Sequence, residues 1–206
     1  MYDEARFLKL LRNFNQISVR EQDLKDYIES HTNLKCQLVL DPVFLLSKDQ
    51  WMQLIDKNEM PKHKYLLYYN HQGLKFTDNF VKELSEKHNL DIVEIDPEVV
   101  ISHCSNRYRQ TDNARQFLSL IYGAEFVVST SFHGLALAIR LEKQVYYASR
   151  KAKSNRIYNL ASLLGLEDRN IQDGVSDSRI DYSRVNNVLD EIQKESRSWL
   201  TNSIKG

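Results

Sequence analysis

The feature that most narrows the fold of this chain is an alternation of short β-type runs with amphipathic helical stretches. KYLLYYN (64–70), DIVEID (91–96), EFVVST (125–130) and QVYYAS (144–149) are compact apolar runs of strand length. The stretches 77–88, 112–122, 133–142 and 155–166 repeat apolar residues at helical spacing. Parallel strands need a crossover between them, and a helix is the usual crossover. The pattern therefore predicts an α/β, Rossmann-like, mainly parallel sheet with helices on both faces. We expect one such domain over residues 1–206, with a C-terminal helix over 181–206. Two shorter β runs, ISVR (17–20) and CQLVL (36–40), and a helix over 3–14 precede the alternation. Ser47 with Gln50 reads as a capping box for a short helix over 47–57, Thr77 and Asp112 read as N-caps, and 97–111 reads as loop.

In a parallel α/β sheet, ligands bind beyond the carboxyl ends of the strands. The stretch VVSTSFHGLALAIR (127–140) crosses that edge. Ser129, Thr130 and Ser131 end a strand, Gly134 allows close approach, and an apolar helix begins at once. A helix start offers backbone N–H groups and a partial positive charge, which suit phosphate or carboxylate. Ser131 reads as its cap. His133 at this seam is either a structural residue or a proton-transfer group, since imidazole both gives and takes a proton near neutral pH. Spacing leaves both readings open.

Other features mostly exclude. Lys plus Arg and Asp plus Glu number 28 each, so no global field selects nucleic acid or an anionic surface. The two cysteines, Cys36 and Cys104, have no partner at zinc-type spacing, and a reduced, cytoplasmic chain without metal or cofactor is expected. No apolar run reaches the roughly 18 residues that a membrane span needs. GxGxxG, P-loop, HExxH and GxSxG patterns are absent. His103 and Cys104 adjoin in a polar stretch but lack further ligands at suitable spacing.

Three ordered stretches carry a resemblance. FLSLIYGAEFVVSTSFHGLALAIRLEKQVYY (117–147), ISVREQD (17–23) and LDPVFLLSKDQW (40–51) resemble landmarks of the polysaccharide pyruvyl transferase family, and SNRIYNLASLLGLEDR (154–169) resembles its downstream stretch. The likeness covers roughly residues 10–170 and matches mainly the second half of a two-domain, glycosyltransferase-B-like architecture. Thr111-Asp112-Asn113 stands where family members often carry Gly-Pro. The resemblance implies transfer of a pyruvyl group from phosphoenolpyruvate to two sugar hydroxyls, giving a pyruvate ketal in cell-surface polysaccharide synthesis. It implies His133 as general acid or phosphate contact, and Arg20 as a two-point grip on a carboxylate. Arg150 or Arg156 becomes a second anion clamp, with Arg156 favoured, and Ser131, Phe132 and Gly134 complete an anion cradle. Phosphoenolpyruvate and a sugar or polysaccharide precursor are the implied partners. A separate N-terminal half or a second copy is the implied protein partner.

The residues also admit blander roles. Arg20 can pair with Glu21 or Asp23. Arg150, Lys151, Lys153 and Arg156 can form a solvated basic loop. Asp41-Pro42 reads as a turn, and Trp51 as packing. Two other functions compete: half of a nucleotide-sugar glycosyltransferase, which Glu142 at the far end of its helix disfavours, and a non-catalytic binding or assembly module.

Overall fold

The computed structural model describes residues 3–71, 74–95, 107–109, 113–149 and 155–205. Arg150, the His103-Cys104 pair and the expected cap Asp112 lie outside them. The chain divides into two compact units, 46–185 and 1–45 together with 186–206.

The larger unit carries a five-stranded, all-parallel sheet of β3 (Tyr65–Tyr69), β4 (Asp91–Ile95), β5 (Arg107–Arg109), β6 (Phe126–Ser129) and β7 (Gln144–Tyr147). The spatial order is β5-β4-β3-β6-β7. The sheet grows one way from β3 through β4 to β5, and the other way from β6 to β7. β3 and β6 therefore flank the topological switch point, aligned as Leu67↔Val127 and Tyr69↔Ser129. β5 corrects the expectation that 97–111 is loop throughout: Arg107–Arg109 pair with Val93–Ile95.

Alternation sorts the side chains to two faces. On one face Leu66, Tyr68, Ile92, Val128 and Tyr146 pack with Val81 and Leu84 of α4 (Phe76–His88). On the other, Leu67, Val127 and Val145 are fully buried, with α5 (Ala114–Gly123) and α6 (Phe132–Arg140) on that side. Tyr65 marks this face by donating its hydroxyl to Leu120 O of α5 at 2.7 Å. Each fully buried large apolar side chain contributes on the order of 2 kcal/mol by leaving water. This continuous core is what holds the strand ends in place.

Two capping expectations are corrected. α5 is capped by Asn113, whose Oδ1 accepts from Gln116 N. Thr77 lies inside the first turn of α4, buried, and donates to Leu74 O, while Lys75 holds the cap position. The Ser47–Gln50 capping box forms as expected on α3 (Lys48–Met52). α7 (Arg156–Leu163) is capped by Asn155 and followed by Gly165 at φ +65°, a left-handed stop.

In the smaller unit α1 (Glu4–Leu11) and α2 (Gln22–His31) accompany a short parallel pair, β1 (Ser18–Val19) and β2 (Gln37–Leu38). CQLVL thus yields two strand residues where five were expected. Leu11, Val19, Ile28 and Cys36 form its core with Phe7 and Leu8 packed against them, while Leu10 and Phe14 are exposed. α8 (Tyr182–Lys205) gives its first residues to the larger unit and the rest to the smaller. There Leu40 N donates to Ser196 Oγ at 3.0 Å. No helix among the described residues is long and apolar enough to cross a membrane.

Candidate functional site

At the carboxyl end of β6 the chain must leave a buried strand and start a buried helix within two residues. Ser129 makes this possible. Its Oγ accepts from Ser131 N at 3.0 Å and its hydroxyl donates to Ser131 O at 3.2 Å, closing a tight local turn. Thr130 N donates to Tyr69 O at 3.0 Å, so the pairing with β3 extends one residue beyond the strand.

α6 then begins under steric control. A Cβ at Gly134 would stand 2.3 Å from Ser129 Oγ and 2.8 Å from Tyr69 Cδ1. Only glycine lets the first turn of α6 lie this close to the sheet. Ser131 occupies the N-cap position, yet its side chain makes no capping hydrogen bond, which corrects the expectation that its hydroxyl caps the helix. α5 and α7, by contrast, are capped by Asn113 and Asn155. Ser131 thus leaves the first amides of α6, on Phe132, His133 and Gly134, without a cap from its own hydroxyl, at the positive end of the helix dipole.

Around this helix start, Phe132 is half-buried and His133 is exposed. Arg156, the first residue of α7, places its guanidinium carbon 4.3 Å from the Phe132 ring centroid. The Phe132 and His133 rings stand 5.4 Å apart, edge to face. Ser131, Phe132, His133, Gly134 and Arg156 are therefore gathered at one helix start. An imidazole, a guanidinium and a row of amides in this arrangement can bind a small anion and exchange a proton with it.

At the carboxyl end of β3 stand Tyr69 and Asn70, which the sequence reading assigned to a strand, and His71 just past it. Asn70 is buried, and its Oδ1 accepts from Leu74 N at 3.0 Å, with Thr130 Oγ1 at 3.5 Å. The Tyr69 ring packs edge to face on Phe117 at 5.0 Å and lies 6.1 Å from the exposed ring of His71. The available signal was positional: Asn70 and His71 follow the strand that sits beside β6, but strand order is not written in the local pattern.

Arg20 belongs to the smaller unit. It pairs with Asp41, whose carboxylate is buried, rather than with Glu21 or Asp23 as in the surface reading. Asp41 also accepts from Val43 N at 3.0 Å, and Pro42–Leu45 turn away as a 3-10 helix. Two sequence landmarks, 17–23 and 40–51, thus meet through one ion pair. A cavity of about 500 Å3 in the same unit is lined by Arg20, Leu24, Val39, Leu40 and Trp199 among others. Glu142, at the far end of α6, adopts φ +58° and pairs with Lys48, so it is engaged away from the helix start. Among the described residues no group of three or more His, Cys, Asp or Glu is placed to hold a metal.

A family model described as polysaccharide pyruvyl transferase matches residues 3–151. Two solved structures of UDP-GlcNAc 2-epimerase from Methanocaldococcus jannaschii are similar to this chain. The one in complex with UDP-GlcNAc and UDP shares 12% identity at a TM-score of 0.49, covering 86% of this chain and 54% of its own. The other shares 14% identity at a TM-score of 0.47, with coverage of 86% and 55%. This chain spans about half the length of those structures. No curated protein matches it.

Proposed function

Because this chain belongs to the polysaccharide pyruvyl transferase family, we propose that it serves the transfer of a pyruvyl group from phosphoenolpyruvate to two hydroxyls of a sugar. The product is a pyruvate ketal on a cell-surface polysaccharide or its precursor. The observation that carries this reading is the helix start at the switch point, where Arg156 rests on Phe132 beside His133 and the Ser131 hydroxyl does not cap the helix.

The chemistry sets the requirements. Two C–O bonds form at C2 of the donor and the C–O bond to phosphate breaks. Of the two hydroxyl protons released, one ends on C3, converting methylene to methyl, and the other leaves with phosphate. The amides of Phe132, His133 and Gly134 and the Arg156 guanidinium hold the phosphate, whose charge grows as the bond breaks. His133 delivers the proton to C3, the step that makes C2 electrophilic. Ser131 lies at the base of the cradle. By sequence, Arg20 is a candidate grip for a carboxylate. Arg150 is a further candidate clamp by sequence. A partner half or a second copy supplies the acceptor wall in this reading. The reaction is placed in the cytoplasm, where a buried thiol such as Cys36 stays reduced.

Thermal unfolding with added ligand tests the proposal. Phosphoenolpyruvate at ~100 times its Kd stabilises by about 2.7 kcal/mol and raises Tm accordingly. His133→Asn and Arg156→Met should lose most of that rise while unfolding normally without ligand. Protection by a nucleoside diphosphate with none by phosphoenolpyruvate contradicts the proposal and favours the glycosyltransferase reading.

A further inference from the structure

The proposed reaction captures two hydroxyls in succession, and this places a demand on proton traffic that one imidazole does not meet. In the first addition an acid protonates C3 while a base takes the proton of the first hydroxyl. In the second, the phosphate oxygen is protonated as its bond to C2 breaks, while a base takes the proton of the second hydroxyl. Two groups that begin in opposite protonation states satisfy both steps by exchanging roles, and both finish as they began.

The sheet offers a second imidazole in the right place. β3 and β6 are hydrogen-bonded neighbours, and parallel strands lie about 5 Å apart. The alignment Tyr69↔Ser129 continues through the bond from Thr130 N to Tyr69 O, which sets Asn70 beside Thr130. His71 is then the next residue on the β3 side, as Ser131 is on the β6 side. The side chains agree with the backbone. Tyr69 Cδ1 lies 2.8 Å from where a Cβ of Gly134 would stand, so the Tyr69 ring touches the first turn of α6. The His71 ring is 6.1 Å from that same Tyr69 ring. Asn70 fixes the exit of the chain through its bond from Leu74 N. Both His71 and His133 are exposed, His71 just past the end of β3 and His133 in the first turn of α6, at the same edge of the sheet.

We propose that His71 is the second catalytic imidazole of the donor site and works as the counterpart of His133. His133 starts protonated and His71 neutral. His133 gives its proton to C3, and His71 takes the proton of the first hydroxyl. His71 then protonates the departing phosphate, and His133 takes the proton of the second hydroxyl. No metal, oxidant or further reactant enters the balance. The inference rests on the pyruvyl-transfer reading of the same site.

The test is long-range 1H–15N spectroscopy of the imidazole nitrogens in the full chain near pH 7, titrated with phosphoenolpyruvate. His71→Gln and His133→Gln assign the two rings. The expected result is that both rings shift with one common Kd. At saturation His133 shows the imidazolium pattern and His71 the neutral pattern, while His31 and His63 stay fixed. A His71 ring unmoved at saturation, or both rings protonated alike, overturns the inference while binding itself stands. If no ring moves and phosphoenolpyruvate gives no thermal protection, the pyruvyl-transfer reading has failed, and the inference falls with it.

Discussion

The two ends of the five-stranded sheet solve the same problem in opposite ways. At the amino end, charged groups neutralise one another: Lys64 with Glu125 at 3.7 Å and Lys87 with Asp177 at 2.7 Å, while His63 Nε2 lies 3.2 Å from the Asp91 carboxylate. At the carboxyl end the strands finish in neutral buried groups, Asn70, Ser129, Thr130 and Ser131, which hydrogen-bond locally and shape the turn. His133 stands exposed at that turn. A hollow of about 390 Å3 lies at the amino end, lined by Lys64, His88, Phe126, Asp177 and Arg179 among others. Two of the ion pairs just named, Lys64 with Glu125 and Lys87 with Asp177, line it. A hollow alone does not make a reaction site; strand direction and a close helix start do.

The strongest way to break this comparison is Gly134→Ala. The added methyl meets Ser129 Oγ and Tyr69, so the first turn of α6 must lift from the sheet. Chemical denaturation should show a loss of about 2–3 kcal/mol, together with loss of ligand protection. A loss under ~0.5 kcal/mol would mean the close approach of α6 is not required. Next in size is Ser129→Ala, which leaves the Ser131 amide without its acceptor. About 1–2 kcal/mol should be lost by the same measurement.

These positions show how far the sequence reaches. The alternation of patterns already implies parallel strands and helices on two faces, because period 2 and period 3.6 reflect local geometry. STSFHG was legible for the same reason: the strand end, the small residues and the helix start are contiguous. The pairing of β3 with β6 was not legible, since neighbours in a sheet are chosen by long-range packing. Asn70 therefore read as the tail of an ordinary strand, and His71 just past it carried no signal. Arg20 was legible as a charged landmark, but its pairing with Asp41 joins residues separated by 21 positions. The short β5 escaped because three polar residues give no periodic signal.

Smaller effects sharpen the contrast. Tyr147, the last residue of β7, is fully buried, and its hydroxyl has no hydrogen-bond partner among the described residues. Tyr147→Phe should change stability at pH 7 by no more than about 0.5 kcal/mol. The pH dependence is more telling. Burial first, then Glu167 and other neighbours, push the Tyr147 pKa above its ordinary value of 10.0. Burial likewise raises Tyr146, despite opposing Arg169. A phenol with a raised folded-state pKa contributes fully below pH 10 and loses its contribution as pH rises through the folded value. Denaturation midpoints should therefore fall above about pH 10, and less steeply in Tyr147→Phe. Lys143 acts in the opposite sense, because burial lowers its pKa and its penalty is relieved at high pH. A midpoint that rises as pH approaches 10.5, the ordinary lysine value, would show that the lysine outweighs the tyrosines.

The smallest effect belongs to the amino end. Lys64→Ala removes an ion pair that is largely exposed on the lysine side. It should cost under ~0.5 kcal/mol, shrink further in high salt, and leave ligand protection intact. A measurable loss of protection there would move the site to the wrong end of the sheet.

A crystal structure of the chain soaked with phosphoenolpyruvate tests the central claim most directly. The account predicts density for the phosphate at the amides of Phe132, His133 and Gly134, within reach of Arg156. Density in the amino-end hollow instead, or an empty helix start at a ligand concentration that raises Tm, would contradict it.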